Sequence, residues 1–139
     1  MRGELTIEEI EDLLHQQYIG RLGCHADELT YIIPIQYGYD GTYLYGHAYA
    51  GMKITMMQKN PKVCMQVDNI DSMYNWKSVI AWGDFELLYS TEDQLHVQKI
   101  MLNKAPVFPP DDLASGDVIA FRIRITNKTG RCNQTAPKV

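Results

Sequence analysis

The residues best placed to do chemistry lie in Tyr43–Pro61, YLYGHAYAGMKITMMQKNP. Gly51 and Lys53 stand where a helix could begin, and Pro61 stops that helix, because the residue before a proline is pushed out of the α region. A helix start offers unpaired backbone N–H groups and a partial positive charge. Glycine lets the backbone come close to a ligand and lysine adds a full charge, so the pattern suits a phosphate. A solvated lysine in a first helical turn would carry the same letters. His47 lies six residues before Lys53, at the expected end of a strand. It reads equally as a functional group or as a histidine bonded to nearby backbone. His15, His25 and His96 are scattered and show no metal-ligand spacing, so no metal is expected. His15 and His96 fall on expected helices and should be surface residues. There is no GxGxxG, Walker A or HExxH, and no Ser-His-Asp order stands out.

Composition bounds the classes open to the chain. Its 139 residues favour one domain spanning 1–139, large enough for a core without staples. With 45% apolar and 22% charged residues it reads as a soluble globular protein. A net charge of −4 argues against nucleic-acid binding driven by phosphate contacts. No apolar run is long enough for a membrane span. Cys24, Cys64 and Cys132 form no CxxC pair, and this fits reduced thiols in the cytoplasm. The N-terminal MRGELTIEEIED is acidic and lacks an apolar h-region, so no signal peptide is expected.

The elements that must position these residues follow from periodicity. Thr6 with Glu9 has capping-box spacing, and Ile7, Ile10, Leu13 and Leu14 make one stripe of a helix running to about Tyr18. Ile19–His25 reads as a strand, and Ala26 to Glu28 as a turn. Thr30–Tyr39 reads as one long strand with Ile33, Ile35, Tyr37 and Tyr39 on one face. Pro34 inside it points to an edge or a bulge. Asp40-Gly41 is a hairpin signal in which both positions want φ > 0. Thr42–His47, a helix over 51–59 and Lys62–Asp68 follow, with Met52, Met56 and Met57 as core filler. Asn69–Asn75 reads as a polar loop and Trp76–Leu87 as an alternating strand. Ser90 caps a helix over Thr91–Asn103, and Ala105–Ala114 is a proline-rich loop. Val118–Thr126 is the last strand, and Asn127–Val139 should be loose. The sum is a mainly β, α+β fold: six long antiparallel strands, nearly closed, with about three flanking helices.

The succession IGRLGCH, YIIPIQYGYDGTYLYGHAYAGMK, NPKVCMQVD and WKSVIAWGDFELL resembles the pyridoxamine 5′-phosphate oxidase-like flavoprotein superfamily. Its nitroimidazole-resistance (Nim) branch is the nearest in pattern. The likeness covers about residues 16–128. It implies a six-stranded split barrel that dimerises and holds FMN in grooves between protomers.

The resemblance also assigns residues. Pro34, Ile35, Gln36 and Tyr37 match the strand along the isoalloxazine. His47 and Ala48 match the pair near the ribityl chain and phosphate. Lys53 matches the phosphate lysine, and Met52 falls where relatives often carry a second cation. Ser78 and Val79 match a later strand flanking the cofactor, with the Ser78 hydroxyl as a phosphate donor. Trp76 reads either as cover for the flavin or as a half-buried strand aromatic.

The function so implied is an FMN-dependent oxidoreductase acting on a small aromatic, such as a nitro compound, with NAD(P)H or another reductant as donor. Pyridoxamine phosphate oxidase activity itself fits less well, since the segment after Thr126 offers Lys128 and Arg131 but no tryptophan. The rival reading is a flavin- or haem-binding module without turnover, because one fold hosts several ligands. A homodimer is expected in either case, since Trp76, Ile80 and Trp82 face away from the presumed core.

Overall fold

The computed structural model describes residues 2–102 and 118–134. The expected loop over 105–114 and the last residues of the tail lie outside them. Three helices and eight strands are described: β1 Arg2–Glu4, α1 Ile7–Gln16, β2 Ile19–Ala26, β3 Leu29–Gln36, β4 Gly38–Tyr39, β5 Tyr43–Tyr49, α2 Met52–Lys59, β6 Lys62–Ser72, β7 Asn75–Leu88, α3 Thr91–Leu102 and β8 Val118–Asn133. All strand pairings are antiparallel, in one sheet of order β3-β2-β6-β7-β8-β5-β4, with β1 added on β8. The sheet curls so that β3 also lies against β5. This is the split-barrel α+β architecture expected, with more strands than the six foreseen.

Local chemistry explains most boundaries. Thr6 caps α1 through a capping box: its Oγ1 accepts from the Glu9 N–H at 3.2 Å, and Glu9 Oε1 accepts from the Thr6 N–H at 3.0 Å. Ile10, Leu13 and Leu14 are buried under this helix, but Ile7 is 78% exposed and does not join the stripe. The β2–β3 hairpin turns on Asp27 and Glu28, at φ 52° and 66°. These are the primed-turn values that suit a two-residue hairpin. At Asp40-Gly41 only Gly41 has positive φ. Asp40 works through its side chain instead, accepting from the Thr42 and Tyr43 N–H groups at 2.9 and 2.7 Å.

Four other expectations are corrected. The strand over 30–39 is broken at Tyr37, whose N–H donates to the Tyr18 carbonyl at 3.0 Å while its hydroxyl donates to the Leu14 carbonyl at 2.8 Å. The first bond carries the β2–β3 register one rung further, and the second ties Tyr37 to α1. Asn69–Asn75 is no loose loop: β6 runs on to Ser72 and pairs with β7 almost to the tip. The stretch after Thr126 continues β8 to Asn133, held between β7 and β1. Met52 is 57% exposed, whereas Met56 and Met57 are buried as foreseen.

The barrel interior holds Leu22, Met65, Val67, Val79, Leu44, Phe121 and Ile123, all at most 2% exposed. A second cluster, Tyr45, Leu88, Val97, Met101 and Ala120, lies where α3 covers the outer face of β5, β7 and β8. β7 and β8 bend at a register shift between Trp82 and Gly83. A Cβ at Gly83 would sit 2.3 Å from the Arg124 carbonyl oxygen, so only glycine permits this approach.

Candidate functional site

Lys53 sits in the first turn of α2 and is half-buried. Burial pulls its pKa below the usual lysine value of 10.5. Among the described residues no carboxylate pairs with it. A half-buried ammonium without a counter-charge is costly for the fold alone. The helix start beside it is open as well. Gly51, the N-cap, makes no side-chain hydrogen bond, and a Cβ there would meet no protein atom within 4 Å. Its backbone is extended, at φ 168°, a conformation any residue adopts. The fold itself therefore does not demand glycine here. What glycine leaves is clear access to the N–H groups of the first turn.

The edge strand β3 provides a second polar surface. It pairs with β2 on one side only. The two-residue turn closes on the pair Ala26 and Leu29, which exchanges both hydrogen bonds. Alternation along the register then makes Arg21–Pro34 and Ile19–Gln36 non-hydrogen-bonded pairs. Pro34 therefore costs the ladder nothing, since its nitrogen points to the open edge. The carbonyl of Pro34 and both backbone groups of Gln36 are turned away from β2. The side chains alternate: Pro34 is exposed on the outer face, Gln36 is half-buried, and Ile35 and Tyr37 enter the core at 7% and 0% exposure. By the same alternation the backbone groups of Ile35 face Gly20 on β2, and the Tyr37 N–H is taken by the Tyr18 carbonyl, so the open edge is offered by Pro34 and Gln36.

β5 does not end at His47, as expected, but at Tyr49. His47 is 6% exposed and pairs across to Ala120, on the face that α3 covers. Burial lowers its pKa from the ordinary 6.5, so the ring is neutral at pH 7. Ala48, 2% exposed, points the other way into the core.

Trp76, Ser78 and Val79 lie on β7, separated from β3 in the sheet by β2 and β6. Val79 is fully buried, whereas Trp76 and Ser78 are half-buried on the outer face. Ser78 Oγ accepts from Gln66 Nε2 at 3.0 Å, and Gln66 also donates to Asp68 at 2.9 Å. Ser78 therefore keeps its own proton to give. Within one chain β3 lies against β5 and α2 packs on β2, while Trp76 and Ser78 form a separate patch on β7.

Sequence reasoning missed the company of that patch. Arg131 lies directly across from Ser78, and Arg2 and Trp76 both register with Asn133. The polar triplet Arg2–Glu4 carried no strand signal that could have announced this. Lys128, grouped with Arg131 in the sequence, has another task. Its ammonium donates to Glu11 Oε1 and, at 3.0 Å, to the Tyr39 hydroxyl, which donates to Glu11 Oε2 at 2.6 Å. This network ties α1 to β4 and β8.

Comparison with known proteins agrees with the fold. An uncharacterised protein of Rhizobium meliloti is 32% identical over 139 residues, covering 91% of this chain and 92% of its own. The crystal structure of a FAD-binding protein from Mesorhizobium loti superposes with a TM-score of 0.81 at 28% identity, covering 96% of this chain and 99% of that one. A candidate 5-nitroimidazole antibiotic resistance protein from Bacteroides thetaiotaomicron superposes at 0.79 with 21% identity, over 95% and 87% of the two chains, a likeness that concerns the fold alone. No helix among the described residues is long and apolar enough to cross a membrane. A family model described as pyridoxamine 5′-phosphate oxidase matches residues 6–132, nearly the whole chain, and this protein belongs to that family.

Proposed function

We propose that this protein binds FMN and serves as an oxidoreductase for a small aromatic acceptor of the nitro type, as a homodimer. The observation that carries the reading is Lys53: a half-buried cation with no counter-charge among the described residues, beside an uncapped helix start that a glycine keeps open. A phosphate completes this arrangement, accepting from the first-turn N–H groups and pairing with the ammonium. The free edge of β3 supports the rest, since Pro34 and Gln36 offer backbone donors and acceptors suited to the polar edge of a flavin ring. When bound, the flavin supplies the two-electron chemistry. The chain's own residues then hold and tune it: Lys53 and the α2 start fix the phosphate, β3 fixes the ring, and His47 stays neutral beside the site. Ser78 and Trp76, too far along the sheet to join β3 within one chain, would reach the flavin across a dimer groove.

The outer face of the sheet supports the dimer. Ile32 is 66% exposed and Trp82 38% exposed, and with Tyr31 and Cys64 they line an apolar groove of about 490 Å³. The Mesorhizobium protein is FAD-binding, which favours the flavin class and makes FAD the second reading. The test is the visible spectrum of the purified protein, followed by heat release and mass spectrometry of the cofactor. Flavin bands that bleach with dithionite and a released mass of FMN are the expected result. Release of FAD selects the second reading, a Soret band means haem, and a protein that takes up none of these when titrated overturns the flavin assignment.

A further inference from the structure

Of the five arginines in the chain, three are paired with carboxylates: Arg21 with Asp68, Arg122 with Glu86, and Arg124 with Asp84. The other two, Arg2 and Arg131, have no ion pair among the described residues. Both line the same cavity, of about 390 Å³, with Trp76, Glu4, Gly3 and Cys132. The register explains why they meet. Arg2 lies opposite Asn133, which lies opposite Trp76, and Glu4 lies opposite Arg131, which lies opposite Ser78. Side chains opposite one another share a face of the sheet. Arg2, Glu4, Arg131 and Trp76 therefore project from the same outer face. Glu4 is the natural partner of Arg131, yet no contact within 4.0 Å joins them.

From this placement we propose that the β1–β7–β8 cavity binds a small planar aromatic monoanion, an aromatic carboxylate. The guanidinium fork matches a carboxylate in two parallel hydrogen bonds. The half-buried indole of Trp76 gives an aromatic ring a face or edge to pack against. Charge decides between carboxylate and phosphate. Two arginines and one glutamate leave a net charge of +1, which a monoanion neutralises and a dianionic phosphate exceeds. The proposal deepens the flavin reading only in that it would name the acid as the class of aromatic brought to that protein. The binding itself rests on the cavity alone, so it is tested apart from the cofactor.

The experiment is calorimetric titration of the flavin-free protein with benzoate, benzamide and inorganic phosphate, repeated with flavin present. Wild type is expected to bind benzoate at least about tenfold more tightly than benzamide, the return of one charge-assisted hydrogen bond. It should also prefer benzoate to phosphate. Arg131→Gln should lose that preference and Arg131→Lys should keep part of it, both with unchanged melting temperature. If Arg131→Gln unfolds the protein, Arg2→Gln supplies the same comparison. Equal affinity for benzoate and benzamide, tighter binding of phosphate, or full benzoate binding by both glutamine variants overturns the proposal. Benzoate binding by a protein that takes no flavin would uphold it while the flavin reading fails.

Discussion

At the scale of single residues, isolation from counter-charge sets Lys53 apart. Lys53 matters because its charge is half-buried and meets no carboxylate among the described residues, not because it is a lysine after a glycine. Lys53→Met keeps the stem and removes the charge. The variant should melt no lower than wild type without flavin, since a poorly solvated ammonium is gone. It should lose about 10- to 150-fold in FMN affinity, the worth of one charge-assisted hydrogen bond, and bind riboflavin nearly as wild type does. Parallel titrations with both ligands read this out. Equal losses would make Lys53 structural, and no loss would move the phosphate elsewhere.

His47 makes a prediction with a definite sign. Its folded pKa lies below the ordinary 6.5 because burial disfavours the cation. The unfolded chain therefore takes up a proton first as the pH falls. The stabilisation from a neutral His47 is complete above about pH 6.5 and is lost progressively as the pH drops toward the folded value. Replacing His47 with Gln should flatten the fall in melting temperature between about pH 7 and 5 relative to wild type. Parallel curves would show that His47 titrates alike in both states.

At the scale of elements, the long β6–β7–β8 ladder sets the shape of the site. Its bend at Gly83 lets the outer halves of these strands run on to Ser72, Asn75 and Asn133, where β1 joins. A methyl group at Gly83 would press on the Arg124 carbonyl at 2.3 Å, and on Ile123 Cγ2 at 2.8 Å. The carbonyl is backbone and cannot swing aside. Gly83→Ala should cost roughly 1–3 kcal/mol, the usual range for overpacking, measured by urea denaturation. Gly51→Ala is the control, because a Cβ there meets nothing. It should leave stability within about 0.5 kcal/mol. A Gly83→Ala variant as stable as wild type would mean that the bend relaxes freely.

At the scale of the whole molecule, the outer sheet face is the unfinished surface. Ile32, Ile70 and Trp82 stand exposed there, at 66%, 64% and 38%. In the same sheet Trp76 and Ser78 are parted from β3 by two strands. A second copy would cover the apolar face and close the groove. Light scattering at micromolar concentration should return about twice the 15.9 kDa chain mass. A monomer mass would leave Trp76 and Ser78 without a route to the flavin.

The sequence by itself determined whatever depends on near neighbours. Alternation marked the inward face of β3 and the alternating run of β7. The Thr6 and Ser90 caps were legible because capping needs only residues three apart. Pro34 announced an edge or a bulge because a proline has no N–H for a ladder, and the structure makes it an edge. The order of loose motifs, more than any one of them, announced the family. The tertiary structure decided what depends on distant partners. Asn127–Asn133 has no alternating pattern, since it is held by β7 and β1 and not by a buried face of its own. The Tyr37 hydroxyl reaches the Leu14 carbonyl of α1, a bond no local pattern reveals. Whether a charge is paired is the furthest from the sequence: Lys128 finds Glu11, while Lys53, Arg2 and Arg131 meet no carboxylate among the described residues. Pairing is set by which side chains the closed sheet brings within reach, and that is settled only once every strand has its neighbour.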